Sequence, residues 1–333
     1  MTTSQTVTPS QGPIQHVLYL QKAEALAQHR EQVSRTLGDA LPGVDITFAG
    51  SVEAVPKGAA FDVVIAPTLP WLPDALARLA EYRWIHFLSA GVEKIWAMNF
   101  DKSAVWMTKS SGVHGAPMSE YAIGAMLYFT KQFGSFRDQA RQGLWQRSWL
   151  GELTGSQLTV LGLGHIGQCL ASRAKAFDMQ VVGTQRSPRS VAHVDRVVPL
   201  EAIGPELART DFLVVCLPLT QVTQGLVDDE LLTQLRPGAV LVDISRGGVV
   251  NSEALLRALD NGTLKGAALD VFEEQPLPAE SPLWKRSDLL ITPHVSGTTP
   301  FYLERALGVF IENVRAYQQD KPFTTAVSID AGY

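Results

Sequence analysis

Residues 157–167 read Gln-Leu-Thr-Val-Leu-Gly-Leu-Gly-His-Ile-Gly, with glycines at Gly162, Gly164 and Gly167. An apolar run, Leu158–Leu161, enters this turn, and a helical pattern from Gln168 to Phe177 leaves it. Strand, glycine turn and helix together suit a dinucleotide phosphate. The first glycine permits the tight turn, the second lets the backbone approach a pyrophosphate, and the third lets the helix sit close to the strand. The helix N-terminus adds unpaired N–H groups and a partial positive charge. The motif stands in the middle of the chain, so a substantial segment precedes it.

Composition sets the frame around the turn. A chain of 333 residues has room for roughly two domains. Its net charge of −5 argues against a nucleic-acid or polyanion surface. No apolar run is long enough to span a membrane. Residues 1–13, rich in Ser, Thr, Gln and Pro, read as a disordered tail and not as a signal peptide. Two cysteines, Cys169 and Cys216, read as small buried apolar residues, and no metal-ligand spacing joins them. The chain reads as reduced, soluble and cytoplasmic.

Before the turn, short apolar runs alternate with amphipathic stretches. Strands are expected at Val17–Leu20, Asp45–Phe48, Asp62–Ala66, Trp84–Leu88 and Val105–Thr108, and helices at Lys22–Leu37, Pro73–Ala80 and Val92–Met98. A long helix is expected from Met118 to about Gln142, kinked at Gly134. From Leu158 the alternation restarts, with strands at Leu158–Leu161, Gln180–Thr184, Val197–Val198, Phe212–Leu217, Ala239–Ile244, Gly266–Leu269 and Leu289–Thr292. Helices fall between them, among them Asp228–Gln234 and Ser252–Asp260, the latter stopped by Asn261-Gly262. Such alternation predicts an α/β fold of two domains with parallel sheets. A final helix, Tyr302–Gln318, has no third sheet to cover and is expected to pack back on the first domain. The expected division is 14–112 with 299–333 for the first domain and 113–298 for an inserted nucleotide domain.

The residues after the second strand of the nucleotide domain bear on the cofactor. An acidic residue there bonds the ribose 2′-hydroxyl in NAD-binding versions of the fold. Here the position is Gln185, followed by Arg186, Ser187 and Arg189. A missing carboxylate and two new arginines favour a 2′-phosphate, and hence NADP over NAD.

Three downstream segments carry polar groups where strands end: 242–248 with Arg246, 268–276 with Asp270, and 291–297 with His294. In an open parallel sheet these ends face one crevice. Hydride transfer to a ketoacid needs a cation to hold the carboxylate and polarise the carbonyl, and an acid to protonate the nascent alkoxide. Arg246 and His294 suit those roles.

On these motifs the chain resembles the D-isomer-specific 2-hydroxyacid dehydrogenase family, nearest its glyoxylate/hydroxypyruvate reductase branch. The motifs are Gly-Leu-Gly-His-Ile-Gly at 162–167, Leu-Pro-Leu-Thr at 217–220 with Thr223, Ser-Arg-Gly-Gly at 245–248, Leu-Asp-Val-Phe at 269–272 and Thr-Pro-His at 292–294. Residues 88–92 resemble the family's substrate loop, and 112–114 and 119–121 its domain crossover; the match covers about residues 60–318. The resemblance implies two Rossmann- or flavodoxin-like domains, a catalytic site in the cleft, and a homodimer. It implies substrate binding by the backbone N–H groups of Ala90, Gly91 and Val92 and by Arg246. It assigns cofactor contacts to Gly162, Gly164, His165, Ile166, Gly167, Gln185, Arg186, Ser187, Leu217, Pro218, Thr223, Ile244, Ser245 and Gly297. Asp270 would orient the nicotinamide amide, and His294 would be the acid/base. Pro67–Trp71, Trp96 and Trp145–Trp149 are candidates to line the cleft, without naming a substrate.

One position departs from the family. A glutamate that bonds the catalytic histidine normally precedes the proline of the Leu-Asp-Val-Phe segment, and here it is Gln275. Glutamine orients the ring but adds no charge, so His294 is expected to stay neutral to lower pH. The alternative partner is Glu274. Formate dehydrogenases of this fold also carry Gln at that position and Ser-Gly-Thr-Thr after the histidine, as at 296–299 here. A formate-type hydride transfer and a nucleotide-sensing binding protein are therefore the two rival readings.

Overall fold

The computed structural model describes residues 12–327. Residues 1–11 of the expected tail lie outside the described residues. The remainder of that tail is tied down: Gly12 O accepts from Tyr317 Oη (2.8 Å) and Pro13 O from Arg83 Nη2 (2.9 Å).

In chain order the elements begin with β1 (His16–Leu20), α1 (Ala23–Ala40), β2 (Asp45–Ala49), β3 (Ala60–Ala66), α2 (Leu72–Leu76), β4 (Glu81–Phe87) and β5 (Trp106–Lys109). Next come α3 (Gly115–Thr130), α4 (Phe133–Arg141), β6 (Gln157–Leu161), α5 (His165–Lys175), β7 (Gln180–Thr184), β8 (Arg196–Val198), α6 (Gly204–Leu207) and β9 (Phe212–Val215). The last are α7 (Asp229–Thr233), β10 (Ala239–Asp243), α8 (Ser252–Asp260), β11 (Leu264–Leu269), β12 (Leu289–Ile291) and α9 (Tyr302–Gln318). The chain divides into two compact units: residues through Val113 with those from Pro300, and His114–Thr299. No helix among the described residues is long and apolar enough to cross a membrane.

In the first unit, five parallel strands run in the order β2-β1-β3-β4-β5. Both faces of β1, β3 and β4 are apolar, so helices must cover both sides. One side holds α9: Ala306, Leu307, Phe310 and Val314 pack with Val17, Tyr19, Val63 and Trp84. Asn313 of α9, fully buried, spends its amide on the following segment, accepting from Thr324 N (2.9 Å) and donating to Thr325 Oγ1 (2.8 Å).

In the second unit, seven parallel strands run β12-β11-β10-β9-β6-β7-β8. The order reverses at β6, which pairs with β7 on one side and β9 on the other. That reversal opens a crevice at the carboxyl ends of β6 and β9, where the glycine turn lies. Every residue of β6, β9 and β10 is buried. Side-chain caps set local helix starts: Asp228 accepts from Leu231 N (3.0 Å) ahead of α7, and Asn251 from Ala254 N (2.9 Å) ahead of α8.

Three local expectations change. The long helix breaks into α3 and α4 at Gln132, whose φ of 54° is left-handed, so Gly134 is not the break point. Gly134 instead lets Tyr128 close in, because a Cβ there would collide with its hydroxyl. The stretch expected as a helix at Val92–Met98 is a 3₁₀ turn, Glu93–Ala97. Both cysteines are half-buried, and Cys169 Sγ lies 3.7 Å from His165 Nε2 at the edge of α5, outside the core.

The core of the first unit contains one polar relay. Trp84 Nε1–H donates to Thr108 Oγ1 (2.8 Å), whose hydroxyl serves His86 Nδ1 (2.7 Å). His86 Nε2 meets Ser110 Oγ (3.1 Å), which donates to Phe87 O (3.1 Å). The relay closes with a neutral imidazole, and burial pushes the His86 pKa down to about 3, opposed by the Ala306 backbone. The folded value lies below the unfolded one, so the unfolded chain takes up the proton first. The stability contributed by neutral His86 is complete above pH 6.5 and is lost as pH falls from 6.5 towards 3. Between pH 7 and 4.5 the protein should lose about 2 kcal/mol more than its His86→Gln variant, read by urea unfolding of each at both pH values.

Candidate active site

The glycine turn has the shape its sequence requires. Gly162 sits at φ 103°, and a Cβ there would press on Cys216 O and Leu217 at 3.0 Å. A Cβ on Gly167 would collide with Gly162 O, so the third glycine is what lets α5 start against β6. Nothing lies within 4 Å of a Cβ placed on Gly164, which leaves the space over the helix N-terminus open. The turn is held from β7, where Thr184 accepts from Gly162 N (Oγ1, 3.0 Å) and from Leu163 N (O, 2.9 Å).

At the end of β7, Gln185 Nε2 reaches Leu163 O at 3.4 Å, and Gln185 Oε1 is buried with no hydrogen-bond partner among the described residues. A buried acceptor left unpaired costs about 1–3 kcal/mol. Arg186, Ser187 and Arg189 stand exposed just beyond, and neither arginine has an acidic partner among the described residues. An open Gly164, an unpaired ribose-level acceptor and two unpaired arginines fit a dinucleotide carrying an extra phosphate.

Beyond β9, the loop 217–223 is closed by Thr223, whose Oγ1 accepts from Thr220 N (2.8 Å) and donates to Pro218 O (2.5 Å). The hydroxyl of Thr223 is therefore committed to shaping the loop. Beyond β10, Ile244 and Ser245 are buried, so they offer backbone, not side chain, to the crevice. Ser245 N donates to Asp243 Oδ1 (2.9 Å) and fixes the turn that carries Arg246. Arg246 is exposed, its Nη1 donates to Ser245 O (2.9 Å), and it forms no ion pair among the described residues. Burial pushes the Asp243 carboxyl up to about 7, with Asp270 nearby adding to the shift and Ser245 opposing it.

Asp270 is fully buried and accepts three bonds from the loop after β12: Thr292 Oγ1 (2.6 Å), Val295 N (2.8 Å) and Ser296 N (2.8 Å). Tyr121 Oη, on α3, meets Thr292 Oγ1 at 2.7 Å, and burial pushes its phenol up to about 12. His294 sits inside this clamp at φ 55°. Its Nδ1 lies 2.8 Å from Gln275 Oε1, and Gln275 Nε2 donates to Phe272 O (2.9 Å). The Phe272 carbonyl fixes the amide, so Gln275 presents oxygen to the ring and Nδ1 carries the proton. In the neutral ring Nε2 is then the bare nitrogen, the one able to gain and return a proton. Gln275, not Glu274, is the partner.

His114 completes this group, and its sequence context as a crossover segment gave no sign of it. Its Nδ1 lies 3.2 Å from Gly297 O, and a Cβ on Gly297 would approach that nitrogen to 2.8 Å. Burial lowers the His114 pKa, the Gly297 carbonyl opposes this, and the charges of Arg246 and His294 lower it further. Asp243, Tyr121 and Thr292 stand in segments that the sequence singles out, but no spacing there announces their partners.

The first unit holds its own candidate segment. The backbone N–H groups of Ala90, Gly91 and Val92, after β4, have no partner among the described residues. Ser110 N anchors the segment by donating to Ser89 O (3.2 Å).

A family model described as the NAD binding domain of D-isomer specific 2-hydroxyacid dehydrogenases matches residues 123–296. Glyoxylate/hydroxypyruvate reductase A of Salmonella newport is 34% identical over 221 residues, covering 66% of this chain and 70% of that protein. A D-isomer specific 2-hydroxyacid dehydrogenase family protein from Aeromonas salmonicida superposes with a TM-score of 0.81 at 32% identity, over 94% of this chain and 99% of that one. An NADPH-dependent glyoxylate/hydroxypyruvate reductase from Sinorhizobium meliloti, solved with NADP and sulfate, superposes at 0.79 with 25% identity, over 96% and 100% of the two chains.

Proposed function

Because this chain belongs to the D-isomer specific 2-hydroxyacid dehydrogenase family and is an oxidoreductase, we propose that it reduces a small 2-ketoacid, glyoxylate or hydroxypyruvate in type, to the D-2-hydroxyacid with NADPH. The observation that carries the reading is the pairing of an uncommitted Arg246 with a His294 whose Nδ1 is fixed by Gln275, at the edge of the sheet that bears the glycine turn. On this reading 113–298 is the nucleotide domain, inserted in a substrate domain of 14–112 and 299–333.

Bound at the glycine turn, the cofactor supplies the hydride. Gly162, Gly164 and Gly167, with His165 and Ile166 at the start of α5, form its phosphate cradle. Gln185 takes a ribose hydroxyl, and Arg186 with Ser187 takes the 2′-phosphate, which makes NADP the preferred form. The loops at Leu217, Pro218 and Thr223, at Ile244 and Ser245, and at Gly297 border it. Three of the acceptor sites on Asp270 are already filled by the His294 loop, which leaves it at most one further contact for a nicotinamide amide. Arg246 holds the substrate carboxylate and polarises the carbonyl, and in the substrate domain the amides of Ala90, Gly91 and Val92 are the donors for substrate. Protonated His294 gives its Nε2 proton to the oxygen as the alkoxide forms, while Gln275 keeps the ring aligned.

The test is the decay of NADPH absorbance with glyoxylate, hydroxypyruvate, pyruvate and phenylpyruvate, repeated with NADH. Turnover with at least one ketoacid and a preference for NADPH are expected, and Arg186→Ala should narrow that preference by about tenfold. Tight cofactor binding without turnover identifies a nucleotide sensor, and formate-dependent reduction of NADP identifies the formate-type reaction; either result overturns the proposal.

Gln275 also has a directional consequence. Reduction needs His294 protonated, so its rate falls as pH rises through the titration of the ring. Gln275→Glu places a negative charge against Nδ1–H and favours the imidazolium. Its fall-off should move to higher pH relative to the natural protein. Superimposable pH–rate profiles would remove Gln275 from the proton chemistry.

The partner in assembly is a second copy of this chain. Segment 144–150 carries Trp145 and Trp149 at 95% and 96% exposure, with Leu144 and Leu150 also exposed. Two indoles standing free in one short segment form an apolar surface of the kind an interface covers. Sedimentation should give a dimer of the 36.2 kDa chain, and Trp145→Ser with Trp149→Ser should give a monomer.

A further inference from the structure

Two polar groups in the first unit are left in a costly state. Ser89 Oγ and Arg305 Nη1 are both buried, and neither has a hydrogen-bond partner among the described residues. Arg305 also forms no ion pair among them. A buried hydroxyl without a partner costs about 1–3 kcal/mol, and a buried guanidinium nitrogen more. Such a group in a native protein calls for an explanation, a functional role or a bound ion among them.

One hydrogen bond ties together the segments that carry the two groups. Ser89 follows Leu88 at the carboxyl end of β4, the edge of a parallel sheet where ligands bind. Tyr302, the first residue of α9, donates its hydroxyl to Leu88 O at 2.5 Å and so fastens the start of that helix beside Ser89. Arg305 is three residues further on, on the same helix face. Its guanidinium turns back towards the start of α9, with Cζ 5.6 Å from the centre of the Phe301 ring. Next in sequence after Ser89 come the unpartnered amides of Ala90, Gly91 and Val92.

Every group in this set is a donor or can act as one. Three amides already suffice for one carboxylate, the one common to every 2-ketoacid. Ser89 and Arg305 therefore require an acceptor of their own, and a guanidinium favours an anionic acceptor over a hydroxyl. We propose that Ser89 and Arg305 form a second recognition point that takes the distal carboxylate of a 2-ketodicarboxylic acid. This rests on the ketoacid-reductase reading and names its substrate class.

The experiment compares kcat/KM with NADPH for matched pairs of diacid and monoacid: oxaloacetate against 2-oxobutyrate, and 2-oxoglutarate against 2-oxopentanoate, with glyoxylate as the ketoacid lacking any second group. The natural protein should favour the diacid of at least one pair by about tenfold or more. Arg305→Gln should erase that preference while glyoxylate turnover stays within about twofold, and Ser89→Ala should reduce it more mildly. No preference for either diacid in the natural protein overturns the proposal. So does an equal loss on all five ketoacids in Arg305→Gln, which marks a structural role or a share in the common carboxylate. Absence of turnover with every ketoacid refutes the reductase reading instead. In that case calorimetric binding of 2-oxoglutarate and 2-oxopentanoate to the natural protein and to Arg305→Gln decides the recognition point separately: it stands only if the diacid binds more tightly and the variant loses the difference.

Discussion

The carboxylate of Asp270 holds the candidate chemistry in place. It accepts from Thr292, Val295 and Ser296, so one buried side chain at the end of β11 fixes five consecutive residues after β12. His294 lies inside that span at φ 55°, a left-handed conformation costing an L-residue roughly 1–2 kcal/mol. Hydrogen bonds to a charged group contribute about 1.5–3 kcal/mol each, so three of them offset the strain. The His294 ring is thereby carried on an irregular loop that a buried carboxylate holds in place. Tyr121 from α3 and His114 from its N-terminus brace the same loop from another side.

Around that clamp the charges are arranged unevenly. Asp243 stands near Asp270, is buried, and among the described residues receives its side-chain bonds from Ser245 alone; burial pushes its carboxyl up to about 7. Cys216, at the end of the neighbouring strand, has its thiol pushed well up by burial and by Asp243. The cationic side is formed by Arg246, and burial, with its neighbours' charges, lowers the His114 pKa. The sheet edge thus sets acids deep and the uncommitted cation outermost, an order suited to receiving an anion from solvent.

Much of this was legible from the sequence, for identifiable reasons. Strands of a parallel sheet are buried on both faces and read as continuous apolar runs, and β6, β9 and β10 were visible as such. The glycines of 162–167 are read from steric need: Gly162 and Gly167 meet close neighbours, and Gly164 faces open space. Where the reading missed, the cause was non-local. The helix break at Gln132 follows from a left-handed residue that no composition rule selects, whereas Gly134 was chosen for its type and proved to be a packing contact with Tyr128. The 3₁₀ turn at Glu93–Ala97 is too short for its periodicity to separate it from a helix.

By itself the sequence determined the two parallel-sheet units, the dinucleotide turn, the loss of the acidic residue at Gln185, and the candidacy of Arg246, Gln275 and His294. Each is written in local order: spacing, periodicity or a motif within a few residues. Tertiary structure alone decided that Gln275 is oriented by Phe272 so that Nδ1 of His294 carries the proton. It alone joined Asp270 to a loop some 25 residues away and His114 to Gly297, and brought Tyr302 to Leu88 across 214 residues of chain. It alone left Ser89 and Arg305 buried without partners. The physical reason is common to all of these: a hydrogen bond is satisfied or orphaned by what the folded chain brings within about 3 Å, and sequence order carries no measure of that distance.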